Sequence, residues 1–151
     1  MRFLKNFLGV VLVLFIAGAI WVRVAPSDPA KWHVDPRTVT APRTDNFVLV
    51  RGEEAARFDM PPGDLAARLD AIARDWPRTK LLAGSVAEGW MTYVTRSRWV
   101  AFPDYTSVVI TPDEGGARLA AFARARYGKS DLGVNAERLD AWLSALRAEV
   151  Q

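Results

Sequence analysis

Residues 79–128 read TKLLAGSVAEGWMTYVTRSRWVAFPDYTSVVITPDEGGARLAAFARARYG, and the way this stretch divides decides the fold. Glu88-Gly89, Pro103-Asp104 and Asp113-Glu114-Gly115-Gly116 supply turn chemistry at regular intervals. Between them lie TKLLAGSVAEG, WMTYVTRSRWVAF, YTSVVITP and ARLAAFARARYG, the second and third rich in β-branched and aromatic residues. Strands that follow one another across short turns pair most economically as consecutive antiparallel neighbours. The fourth segment is alanine-rich and suits a helix on propensity alone. Its two-residue alternation and the preceding Gly-Gly turn favour a strand.

The flanks complete the pattern. FVLVRG and AARFDM are short and β-compatible, and the second runs into Pro61-Pro62-Gly63-Asp64, a helix-start cluster. Leu65, Leu69, Ile72 and Trp76 then recur at helical spacing until Pro77 stops the run. Leu139, Trp142, Leu143, Leu146 and Val150 form a second stripe near the end. The order strand, helix, four strands, helix predicts an α+β fold, a two-layer sandwich with both helices on one face of an antiparallel sheet.

The amino terminus, MRFLKNFLGVVLVLFIAGAIWVRVAP, places Arg2 and Lys5 before an uncharged run. Phe7 to Val22 spans roughly 24 Å as a helix, against a hydrocarbon core of about 30 Å that flanking residues help to bridge. Residues 1–24 are therefore expected to be a single-pass inner-membrane anchor, crossing through residues 6–22, with its amino terminus in the cytoplasm and the rest in the periplasm. A signal peptide ending at the small triplet Ala17-Gly18-Ala19 is the alternative, with release of the domain to the periplasm. Residues 25–42 are proline-rich and aperiodic, which predicts a linker to a soluble domain over 43–151. Trp32 in that segment is free to touch either the membrane interface or the domain.

Composition narrows the chemistry. The net charge of +3 is spread along the chain without a basic tail, so no nucleic-acid partner is expected. There is no cysteine, which removes disulfides, thiolate catalysis and thiolate metal sites. His33 is the single histidine and is expected to sit exposed in the linker, so neither a histidine triad nor a multi-histidine metal centre is available. No metal and no cofactor are expected.

The polar residues that stand out cluster late in the chain. Arg96 and Arg98 are two apart, as are Arg124 and Arg126, so each pair shares a strand face. Depending on register, Thr106, Val108 and Ile110 share a face with one of these pairs. The four arginines are expected to converge at one end of the sheet with Lys129, Asp104 and Asp131. Guanidinium groups in that setting form a cradle for a carboxylate, phosphate or lipid headgroup. Alternatively, the two acids neutralise them and fix the last helix to the sheet. Gly133 suits a positive-φ turn and Asn135 a helix N-cap.

TYVTRSRWVAFPDYTSV followed by RARYGKSDLGVNAERLDAWLSAL resembles the bacterial domain of unknown function 1499 family, whose members carry similar Arg-Ser-Arg, Phe-Pro-Asp and Ser-Asp-Leu-Gly-Val-Asn patterns. The resemblance covers about residues 43–149. TDNFVLVRG stands where many members have a cysteine-containing start, so chemistry tied to those cysteines is unavailable here. The resemblance implies an envelope protein of unknown activity, with Arg96, Ser97, Arg98, Phe102, Asp104, Arg124, Ser130, Asp131, Gly133 and Asn135 as candidate positions.

Three functions follow for testing. A binding or scaffolding module with an anionic ligand or envelope partner needs no catalytic apparatus, and exposed aromatics such as Trp99 or Tyr105 at a basic pocket favour it. A hydrolase requires Asp104 or Asp131 as general base and arginines to stabilise negative charge. Ser97 and Ser130 lack a histidine to activate them, and Lys129 adjoins Ser130 in a poorly placed pair. A purely structural envelope protein is the third.

Overall fold

The computed structural model describes residues 2–150; the side chain of Val150 lies outside the described residues. Its elements run α1 (Arg2–Val24), α2 (Pro29–Trp32), β1 (Phe47–Val50), β2 (Ala56–Phe58), α3 (Pro62–Asp75), β3 (Thr79–Ser85), β4 (Trp90–Arg96), β5 (Pro103–Asp113), β6 (Gly116–Ala125) and α4 (Val134–Val150). The fold is α+β, as the turn spacing predicts. All strand pairs are antiparallel, in the order β1-β6-β5-β4-β3.

The first strand is split. β1 lies against Ala121 to Arg124 of β6 and β2 against Ala117 to Leu119 of the same strand, with a short 3-10 turn over Gly52–Glu54 between them. Gly52 at φ +60 lets the edge leave the sheet and return. The alanine-rich segment is strand β6, central in the sheet, where its small side chains allow both faces to be covered closely.

Strand parity sorts the side chains. Met91, Tyr93, Val108, Ile110, Ala117, Leu119 and Ala121 point to the helices and join Leu65, Leu69, Leu139, Trp142 and Leu146 in one core. Trp142 is fully buried and meets Tyr93 edge to face at a centroid distance of 5.6 Å. The Tyr93 hydroxyl reaches the Asp70 carboxylate of α3 at 2.9 Å, tying helix to sheet. Burial and the hydrogen bond to Asp70 push this phenol well above its ordinary value.

The opposite face of the sheet carries no helix from the core, and the segment expected to be a linker covers it. Trp32 stacks on Tyr105 with centroids 3.9 Å apart, and His33 stacks on Trp90 at 4.0 Å. Ser27 shares a hydrogen bond with the Tyr105 hydroxyl at 2.8 Å, and Arg51 donates to the Val39 carbonyl at 2.8 Å. Residues 26–39 are thus a packed strap. The prolines are compatible with a mostly irregular chain laid on a sheet, Pro29 opening the single turn α2, and Trp32, His33 and the buried Pro36 supply its contact surface.

α1 is long and apolar enough to cross a membrane, with a mean hydropathy of 2.5 over its best window and no buried residues; a signal sequence has the same character. The helix begins earlier than the uncharged run and takes in both flanking basic ends.

Truncating Trp142 to alanine removes a fully buried ring and is expected to cost about 3–5 kcal/mol. Trp142→Phe is expected to cost far less, because the indole N–H makes no hydrogen bond within the described residues. Denaturant titration of the full chain in detergent checks both.

Candidate functional site

The expected cluster of four arginines and two acids is split: Arg96 and Arg98 meet Asp104 at one cleft at the end of the sheet, while Arg124 and Arg126 are held by the strap on the other side. Arg96 and Arg124 lie on the strap-covered face, because Met91, Tyr93, Leu119 and Ala121, of opposite parity, lie on the helix face. Asp104 pairs with Thr95 and Ala125 and shares the helix face with Thr106. Thr106, Val108 and Ile110 therefore face away from both arginine pairs. None of Arg96, Arg98, Arg124, Arg126 or Lys129 forms a salt bridge among the described residues. The correction follows from register: an even-numbered position on β6 and an even-numbered position on β5 fall on opposite faces here.

On the strap side, Arg124 is 8% exposed and opposite Tyr105 in the β5–β6 ladder. Its Nη2 donates to the Trp32 carbonyl at 3.1 Å, and its guanidinium carbon lies 5.1 Å from the Trp32 ring centre and 4.4 Å from that of Phe122. Burial without a carboxylate partner pulls its pKa down to about 10. Arg126 donates to the Pro26 carbonyl at 3.0 Å. Arg96 donates to the Ala101 carbonyl at 3.0 Å and approaches that of Val22 at 3.5 Å. These three arginines hold main-chain carbonyls of the strap, a loop and the end of α1. Tyr105 is fully buried beneath the strap and unavailable as a ligand contact.

His33 belongs to the same layer and is partly buried, where an exposed linker position was expected. Its Nδ1 lies 2.9 Å from the Thr92 hydroxyl, which donates to Ser107 at 2.9 Å; the Ser107 hydroxyl donates in turn to the Trp32 carbonyl at 3.2 Å. Burial lowers the imidazole pKa below 6.5, against a smaller opposing effect of Glu88.

The helix side holds the other polar group. Asp131, not Asn135, caps α4: its Oδ1 accepts from the Gly133 amide at 3.0 Å, and its Oδ2 accepts from the Asn135 amide at 3.1 Å and side chain at 2.6 Å. These bonds hold its carboxyl below the ordinary range despite burial. Gly133 takes φ +83, as a turn there requires. Asn135 is fully buried and accepts from Arg138, a residue that sequence reasoning missed. Arg138 is 3% exposed, pairs with Asp104 at 3.5 Å and reaches Thr106 at 3.4 Å. Burial pushes the Asp104 carboxyl up, with Arg138 pulling it back, and burial pulls the Arg138 guanidinium down. Helical spacing is the available signal, since Arg138 stands three residues after Asn135 and four before Trp142.

A cleft opens beside this network. One lobe of about 340 Å³ is lined by Arg78, Arg96, Arg98, Arg138, Asp104 and Glu137 among others, giving four arginines against two carboxylates. An adjoining lobe of about 320 Å³ shares Ser97, Asp104 and Val134 and extends to Phe102, Tyr127, Ser130 and Asp131. Arg98 sits in the loop after β4, exposed, with its guanidinium carbon 4.9 Å from the Trp99 ring centre. Ser97 accepts from the Phe102 amide and Ser130 from the Leu132 amide, so both serines are engaged in local turns. Lys129 is exposed and lies outside both lobes. Arg78, Ala101 and Leu132 hold φ of +59, +64 and +55, a conformation that non-glycine residues rarely adopt, and they lie in or beside the cleft.

Arg124→Ala is expected to detach the strap, since Arg124 is its buried anchor. Trypsin cleavage after Lys31 in the full chain should accelerate at least several-fold, while cleavage after Arg118 within β6 does not. His33 gives a pH test. Its folded pKa lies below its unfolded value, so between the two the unfolded state binds the extra proton and stability falls as pH falls below about 6.5. His33→Gln is expected to flatten that part of the melting temperature profile relative to the wild type.

No curated protein matches the chain. The crystal structure of protein CV1439 from Chromobacterium violaceum is similar at 17% identity, with a TM-score of 0.49, over 70% of this chain and 97% of that one. A family model described as "Protein of unknown function (DUF1499)" matches residues 26–146, so the match takes in the strap as well as the sheet and helices. The chain belongs to the DUF1499 family of proteins of unknown function.

Proposed function

We propose that this is a membrane-anchored binding domain, held in the inner membrane by α1 with its folded part in the periplasm, and that the cleft beside β4 binds an anionic group. The carrying observation is the charge of that cleft, four arginines against two carboxylates. Arg78 and Arg96 donate to neutral carbonyls and Arg138 faces Asp104, so part of the positive charge has no acid to answer it. A phosphate or carboxylate is the ligand class that planar guanidinium groups recognise best. The left-handed residues around the cleft support a site kept at some conformational cost. An anchor read as a cleaved signal leaves the same domain and cleft in the periplasm.

Asp131 is committed to capping α4, which leaves Asp104 as the candidate base of the two, lining the cleft together with Glu137. Asp104 is already paired with Arg138, and Ser97 and Ser130 are engaged in local turns, so binding is the reading we favour over hydrolysis.

Inorganic phosphate added to the full chain in neutral detergent, at fixed ionic strength, is expected to raise the melting temperature with the logarithm of its concentration, corresponding to about 2.7 kcal/mol at a hundredfold excess over Kd. Arg98→Ala is expected to abolish the rise with little change in the unliganded melt, because the side chain is exposed and makes no described hydrogen bond. A flat phosphate response in the wild type overturns the reading of this cleft as a phosphate site.

A further inference from the structure

We propose that the loop from Ser97 to Phe102, together with Leu132, enters the same membrane leaflet as the carboxy-terminal half of α1, so that the cleft opens at the level of lipid headgroups. This rests on α1 being a membrane span. Val100 and Phe102 share an apolar hollow with Phe15, Gly18, Ala19 and Val22 of that helix. Phe15 lies nine residues before Val24, roughly 14 Å along the axis at about 1.5 Å per residue. A loop packed at that depth on a spanning helix is inside the bilayer boundary, not above it.

The side chains fit that position. Trp99 is 78% exposed, and a tryptophan with an arginine over its ring is suited to the membrane interface, where the ring is buried and the guanidinium reaches the phosphates. Leu132 is 93% exposed and holds φ +55. Glycine or asparagine serves such a turn with less strain, and no packing inside the protein uses the leucine, so its apolar surface is left for the bilayer.

Part of the loop backbone also has partners. Carbonyls and amides at membrane depth need partners within the protein. Ser97 and Phe102 close the loop on itself through the Ser97 amide and Phe102 carbonyl at 2.9 Å and the Phe102 amide and Ser97 hydroxyl at 2.9 Å. The Ala101 carbonyl accepts from Arg96, and the Trp99 carbonyl accepts from Arg23 at 2.9 Å. Arg23, Arg96 and Arg98 thereby gather around the loop, which favours a leaflet with anionic headgroups.

The cysteine-free chain permits single spin labels, read by oxygen and nickel-chelate accessibility in the full chain reconstituted in phosphatidylcholine vesicles containing phosphatidylglycerol. Labels at Val13→Cys, Trp99→Cys, Leu132→Cys and Glu114→Cys are compared; Glu114 sits in the β5–β6 turn at the far end of the sheet. The expected result is an oxygen-to-nickel ratio several-fold higher at positions 99 and 132 than at 114, with position 13 higher still. Position 13 deep but positions 99 and 132 as water-accessible as 114, or shielded from both reagents by a protein contact, overturns the insertion while leaving the anchor standing. A water-accessible position 13 removes the anchor and the insertion together.

Discussion

Tyr105 and Arg124 face each other across β5 and β6 on the side of the sheet that the helices leave bare, and the structure depends on how that side is closed. Six strands with helices on one face expose a second face of aromatic and aliphatic groups to water unless something covers it. Here the cover is the strap, with Trp32 laid flat on Tyr105 and its carbonyl held by Arg124. A hydrogen bond from a charged donor contributes about 1.5–3 kcal/mol, and each cation–π contact adds about 0.5–2 kcal/mol when desolvated, both acting against the cost of burying a guanidinium whose Nη1 has no partner among the described residues. The same strap joins the end of α1 to the domain, so covering the sheet also fixes the domain relative to the helix.

Because Arg124 and Arg126 are occupied with main-chain carbonyls of the strap on this face, the other face is left to a separate polar group, which Arg96 reaches at the end of the sheet. Asp104, Arg138, Asn135 and Asp131 link the end of β5 to the first turns of α4, and the cleft forms where this network meets the loop after β4. The two sets are back to back through the sheet. One holds the strap, and the other shapes a basic opening beside it.

Much of the architecture was legible because strands, turns and helix stripes are local patterns. The Gly-Gly turn before β6, the proline after Trp76 and the stripe through Trp142 each act within a few residues. The assignment of arginines to partners was not legible, since it depends on register between β5 and β6, where a shift of one residue moves a side chain through the sheet. Arg138 was missed for a different reason: a charged residue beside a helix stripe resembles a solvent-facing one until the acid opposite it is located. The strap was misread because prolines signal the absence of helix without signalling the absence of packing. Trp32 and His33, two adjacent rings in a proline-rich segment, were the residues that carried its contacts.

Hydrogen exchange of the full chain in detergent tests the central claim that residues 26–39 are part of the folded domain. The amides of Trp32 and His33 are bonded to the carbonyls of Asp28 and Pro29, and that of Val39 to Asp35, beneath side chains packed on the sheet. The account predicts slow exchange at Trp32, His33 and Val39, lost together with the protection of neighbouring β5 only on unfolding. Complete exchange of this segment at the earliest times, with β5 and β6 still protected, would contradict it and restore a free linker.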